Sequence, residues 1–207
     1  MTPVNTTPPT TDRTSEPPKA ERWRRIEPLV RQDLEAQDIE LVPRNLPEIF
    51  AKVYTNETAG GKGIFLLGPT GTGKSRRLEF MAEAFEIQMI NAITLCDRMA
   101  EEKHDADRLE VLNLIPPRWS ERPKHCCDLI IDDLGTEPQE YVVYGTRRNF
   151  MIDAITKRYE RFPEYKTHFT SNLPKENIRL LYGDRIWSRL NEMCVFVTIT
   201  GKDRRFK

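Results

Sequence analysis

The chain has 207 residues, with 32 Lys plus Arg against 32 Asp plus Glu, so length allows one ordinary domain with appendages and net charge favours no partner class. A hydrophobic content of 38% supports one core, while 31% charged residues and a mean hydropathy of −0.60 describe a water-facing surface. No apolar run approaches the roughly 18 residues of a membrane span, which excludes a membrane-spanning class.

The N-terminus has neither the basic start nor the apolar centre of a secretory signal, so a cytoplasmic location is expected. Residues 1–20 hold six Thr and five Pro but only Met1, Val4 and Ala20 as apolar residues, and read as a disordered arm. Residues 21–60 read as a short helical extension. In it Trp23, Ile26, Val30 and Leu34 recur at helical spacing around Pro28, and Ile49, Phe50 and Val53 share a second face. Residues 61–207 form the expected core, entered through a linker containing Gly60 and Gly61.

Within the core, strand-like and helix-period runs alternate, the pattern of a parallel sheet covered by helices. Ile64–Leu67 reads as a strand, Ser75–Phe85 as a helix and Ile87–Ile90 as a strand. A helix is expected from Thr94 to about Leu114, ended by Pro116 and Pro117. Cys126–Ile131 reads as a buried strand, and a long helix is expected from about Pro138 to Arg161. Strands at Thr167–Thr170 and Val195–Thr200 flank a helix around Arg185–Glu192.

The run Gly68-Pro69-Thr70-Gly71-Thr72-Gly73-Lys74-Ser75 matches G-x-x-x-x-G-K-[ST] in full, between a strand and a helix. In such a loop, backbone N–H groups and a helix N-terminus converge on an anion, and Gly71 and Gly73 permit the close approach. Lys74 would carry the charge facing the β- and γ-phosphates, and the Ser75 hydroxyl would bind Mg²⁺. Arg76, next on the helix, is grouped with these nucleotide-binding residues. An accidental glycine turn is the alternative, and the flanking strand and helix argue against it.

Fifty-eight residues after Lys74, the apolar run Leu129-Ile130-Ile131 ends in Asp132-Asp133. Asp132 suits the metal side, because Mg²⁺ takes oxygen ligands and keeps several waters. Asp133 suits activation of the attacking water. Two acids after a strand are otherwise a turn or a helix cap.

Together with Thr170-Ser171-Asn172-Leu173 and the run from Tyr182 through Gly183, Asp184, Arg185, Ile186, Trp187, Ser188 and Arg189 to Leu190, these motifs resemble the AAA+ ATPases of the DnaC and IstB type, which are helicase loaders and transposition helpers. The resemblance spans roughly Gly61 to Lys207. It implies an α/β P-loop NTPase fold of AAA+ type, a parallel sheet flanked by helices, with ATP and Mg²⁺ as cofactors. It further implies an oligomer acting on single-stranded DNA, a replicative helicase or a transposase. By the same resemblance Asn172 is the polar sensor, a role an amide fills without ionising. Arg189 is the arginine finger acting on a neighbouring subunit, with Arg185 as second choice. Arg205 is the second sensor, with Arg204 as fallback. Because the sequence ends at Lys207, a C-terminal helical lid is expected to be minimal or absent. Only Glu21 to about Asn56 could serve as the partner-gripping region of a loader.

DNA contact has weaker sequence support. Arg98, Lys103, Arg108 and Arg118 could line a groove for single strands, but Glu101, Glu102, Asp105, Asp107 and Glu110 balance them. Cys96, Cys126, Cys127 and Cys194 show no C-x-x-C spacing and read as reduced and structural. His104, His125 and His168 read as surface or core residues, and Trp23, Trp119 and Trp187 as packing anchors. Two other function classes stay open: a P-loop phosphotransferase acting on a small acceptor, and a non-hydrolysing scaffold switched by ATP.

Overall fold

The computed structural model describes residues 61–85, 87–102, 104, 128–201 and 203. The N-terminal arm and extension, Cys126, Cys127, Arg204, Arg205 and most of the segment 103–127 lie outside the described residues.

Chain order runs β1 (Gly63–Leu67), α1 (Lys74–Phe85), β2 (Gln88–Asn91), α2 (Ala92–Glu101), β3 (Leu129–Asp132), β4 (Tyr141–Val143), β5 (Thr146–Arg148), α3 (Phe150–Tyr159), β6 (Thr167–Ser171), α4 (Lys175–Met193) and β7 (Cys194–Thr198). Five strands form one sheet in the order β2-β3-β6-β1-β7, and every pairing in it is parallel. All five therefore end at the same edge, where ligands of open α/β sheets bind.

Both faces of the sheet are covered, so its central strands are apolar throughout rather than alternating. Phe65, Leu67, Ile131 and Phe169 face a cluster with Leu95 and Met99 of α2, Phe150 and Ile155 of α3, and Ile186 and Leu190 of α4. Ile64, Leu66 and Ile130 alternate with these and belong to the other face, where they are equally buried. His168 lies inside the sheet, where its Nδ1 accepts the Ile64 N–H at 3.1 Å, a core role in line with the sequence reading.

Four expectations need correction. α2 starts at Ala92, because the Asn91 side chain caps it by accepting from Ile93 N, and helical geometry is lost at Glu102 (φ −74°, ψ 137°) rather than continuing toward Leu114. Glu101 and Glu102 stand at the negative end of the helix dipole, which favours termination there. Between Pro138 and Arg148 a hairpin replaces the first half of the long helix. Val142 and Val143 favour a strand, and Tyr144 (φ 51°) with Gly145 (φ 78°) supplies the left-handed pair that a tight two-residue turn requires. Asn149 then caps α3, its side chain accepting from Ile152 N. β3 begins at Leu129, with Asp128 outside it, because the Asp128 carboxylate is taken by Lys166 N at 2.8 Å. Finally, α4 extends back to Lys175, behind Pro174, and is broken at Gly183 (φ 79°).

Candidate functional site

The loop between β1 and α1 closes on itself: the Thr72 hydroxyl donates to the Pro69 carbonyl at 2.9 Å, and Gly71 and Gly73 take φ of 79° and 80°. Pro69 and Thr70 are exposed, while Gly68, Gly71, Gly73 and Ser75 are half-buried. Lys74 is only 4% exposed, a costly position for an ammonium unless oxygens surround it. Its Nζ donates to the Pro69 carbonyl at 2.8 Å and to Asn172 Oδ1 at 2.7 Å. Arg76 turns outward, paired with Glu79 at 3.0 Å and stacked over Phe80.

Sequence reasoning missed Arg77. It is sealed beneath the loop, and its Nη1 donates to the carbonyls of Thr72 at 2.8 Å and Gly73 at 2.7 Å. Both carbonyls are thereby held on the helix side of the loop. A signal existed: Lys74, Arg77, Leu78 and Met81 share one helical face, and all four are buried.

β6 joins this loop to the acidic end of β3. Asn172, just beyond β6, donates from Nδ2 to Asp133 Oδ1 at 3.3 Å while its Oδ1 accepts from Lys74. The Thr170 hydroxyl accepts from Asp133 N at 2.8 Å and donates to Asp132 Oδ1 at 2.5 Å. Leu134 N adds a bond to the Thr170 carbonyl at 2.8 Å. Asp133 itself sits at φ 57°, a left-handed position that Asp tolerates better than most residues. The structure thus brings Lys74, Asn172, Asp133 and Asp132 together as one hydrogen-bonded chain across three strand ends. Thr170 links its two acids, a role that the Thr-Ser-Asn run did not announce.

Arg189 is not brought into this chain. Its Nη1 donates to Thr156 Oγ1 at 2.7 Å, and its guanidinium lies 5.0 Å from the Tyr159 ring centroid, on α3. Arg185 is exposed. Beyond Asp133, the buried Glu137 accepts from Gly135 N at 2.9 Å and from the Tyr182 hydroxyl, so the loop after the acids is fastened to α4 just before its break. Burial, and then the Glu137 charge, push the Tyr182 phenol well above its ordinary value. Trp187 packs against Phe196, as an anchor should.

The donor set suits a hard cation held together with phosphate oxygens. Ser75 and Asp132 offer oxygen only, and among the described residues no group of three His, Cys, Asp or Glu could hold a metal unaided. A glycine-shaped loop with a buried ammonium at its end suits an anionic partner.

The architecture is an α/β P-loop fold of AAA+ type. Among solved structures, the chain is similar to the DnaC helicase loader, with a TM-score of 0.53 and 21% identity over 75% of this chain and 88% of that one. Drosophila ORC bound to DNA aligns with a TM-score of 0.43 and 14% identity, over 88% of this chain and 92% of the other. No family description and no curated protein sequence matches the chain. Among the described residues, no helix is long and apolar enough to cross a membrane.

Proposed function

We propose that the protein binds and hydrolyses ATP, assembles with further copies of itself, and acts on DNA or a DNA-bound partner as a replication or transposition accessory ATPase of the DnaC/IstB kind. The observation that supports this best is the chain Lys74–Asn172–Asp133–Thr170–Asp132 at the carboxyl edge of a parallel sheet. The DnaC likeness of the fold agrees with it.

Gly68 to Ser75 hold the phosphates, and Lys74 offsets their charge. Ser75 and Asp132 would hold Mg²⁺, which would supply neutralisation of phosphate charge. Asp133 accepts the proton of the attacking water, and Asn172 keeps that carboxylate in place through its amide N–H. An arginine from a neighbouring copy completes the charge balance, a contribution of roughly 10³ to 10⁵ in rate in other nucleotide hydrolases. Arg185 is exposed and suits that reach, whereas Arg189 must first leave Thr156 and Tyr159. Arg205 is assigned to the nucleotide from the C-terminal side. Arg98, Lys103, Arg108 and Arg118 are the residues assigned to single-stranded DNA, on a segment of mixed charge.

The test is phosphate release from Mg-ATP, without any added acceptor, against protein concentration and with or without single-stranded DNA. Specific activity should rise with concentration and with DNA. Asp133→Asn should bind ATP without turnover, and Arg185→Ala or Arg189→Ala should abolish the concentration dependence. Turnover indifferent to concentration, DNA and both arginines would sink the assembly reading. Phosphate appearing only with an acceptor present would identify a phosphotransferase, and binding without turnover a scaffold switch.

A further inference from the structure

The chain leaving β7 runs along the phosphate loop. Ile199 N donates to the Leu67 carbonyl at 2.7 Å, and a Cβ placed on Gly68 would lie 2.0 Å from the Ile199 carbonyl oxygen. Three residues along the loop the approach is just as close. A Cβ on Gly71 would lie 1.9 Å from Asp203 Oδ1 and 2.2 Å from its Cγ. Gly71 (φ 79°) has no side chain, so the Asp203 carboxylate rests directly against the middle of the loop.

This juxtaposition is electrostatically odd. A glycine loop leading into a helix N-terminus attracts anions, and here the anion it meets belongs to the same chain. Asp203 is the only acid from Gly201 to Lys207, between Lys202 and Arg204-Arg205.

We propose that Asp203 is an affinity-setting residue of the nucleotide site: its carboxylate shares the loop with incoming phosphates and must withdraw before a polyphosphate seats fully. This rests on the loop being the nucleotide site. Because the seat is competent only when Asp203 is away, apparent affinity is multiplied by the fraction of time it is away, equally for ATP and ADP. A residue holding Mg²⁺ or the reacting water would instead act on ATP with metal.

The experiment is titration of the full-length protein with fluorescent ATP and ADP analogues, with Mg²⁺ and with EDTA. It compares the natural chain with Asp203→Asn, Asp203→Ala and Lys74→Ala. Both Asp203 variants should bind both nucleotides more tightly by one common factor, roughly 10-fold if the carboxylate is in place about nine-tenths of the time. Unchanged affinity, weaker affinity, or an effect seen only with ATP and Mg²⁺ overturns the proposal. If the natural chain binds through Lys74 while the Asp203 variants match it, this inference alone fails. If Lys74→Ala binds as well as the natural chain, or no form binds, the nucleotide-site reading fails with it.

Discussion

Arg77 and Arg158 are both sealed inside the protein, and both hold backbone carbonyls, but at opposite edges of the parallel sheet. Arg77 reaches from α1 to the carbonyls of Thr72 and Gly73 at the carboxyl edge of β1. Arg158 reaches from α3 to Thr167 Oγ1 and the Lys166 carbonyl, each at 2.7 Å, where β6 begins. A guanidinium suits both places, because its fixed fork of donors satisfies several acceptors without losing charge. The surroundings differ. Around Arg158 the corner is braced by regular structure: Lys166 N also bonds the Asp128 carboxylate, and Leu129 N bonds the Lys166 carbonyl. Around Arg77 the acceptors are loop carbonyls; the Gly73 carbonyl also accepts the Arg77 N–H at 3.3 Å, and the loop is otherwise closed by the Thr72 hydroxyl bond to Pro69. One arginine welds a helix to the sheet; the other gives a loop its shape. The same side-chain chemistry can therefore be structural or site-forming, according to what else holds its acceptors.

The contrast is sharpest under substitution. Arg158→Ala should cost on the order of 3 kcal/mol in urea denaturation, since two charge-assisted bonds are lost and buried acceptors are stranded. Nucleotide affinity of the folded fraction should stay unchanged, and a large loss of affinity would break the distinction. Arg77→Leu, apolar and close in volume, should weaken nucleotide binding by roughly 10-fold, about 1.4 kcal/mol, with a smaller shift in the denaturation midpoint. Arg77→Lys should recover part of that affinity, and a loss of stability with normal affinity would make Arg77 no different from Arg158. The smallest effect concerns Tyr182, whose buried hydroxyl is bound to Glu137 in the loop after the two acids. Its raised pKa means that the folded chain keeps a proton the unfolded chain loses. Stability is thus full below the ordinary tyrosine value of 10.0 and declines as pH rises past it, by less than about 1 kcal/mol over the first half-unit. Tyr182→Phe should remove that component of the alkaline decline.

Much of this was legible in the sequence. The loop from Gly68 to Ser75 and the strand ending at Asp132 stand out by motif and by the strand before each, whereas the amide at Asn172 was reached only through the resemblance. The hairpin was hidden because Val142 and Val143 fall within a stretch whose later residues, Phe150 to Tyr159, carry a clear helical period. Tyr144-Gly145 was the turn signal. The first half of α4 was masked by Gly183, which reads as a helix end but acts as a break between two helical pieces. Arg77, Thr170 and Asp203 were less accessible, since each acts through a contact made by a remote part of the chain. A charged residue on an apolar helical face was the one local hint, at Arg77.

The break at Gly183 has a mechanical consequence. Beyond it, α4 is anchored at its far end, because Cys194 follows Met193 directly and pairs with Gly63 of β1. Before it, Tyr182 is pinned to Glu137 behind the two acids. Between the break and that anchor, Ile186 and Leu190 are buried in the core and Arg189 is held on α3, while the Arg179–Asp184 pair at 2.5 Å spans the break itself. One helix thus answers to two neighbours: the piece before the break is tied to the loop behind Asp133, and the piece after it to the sheet edge.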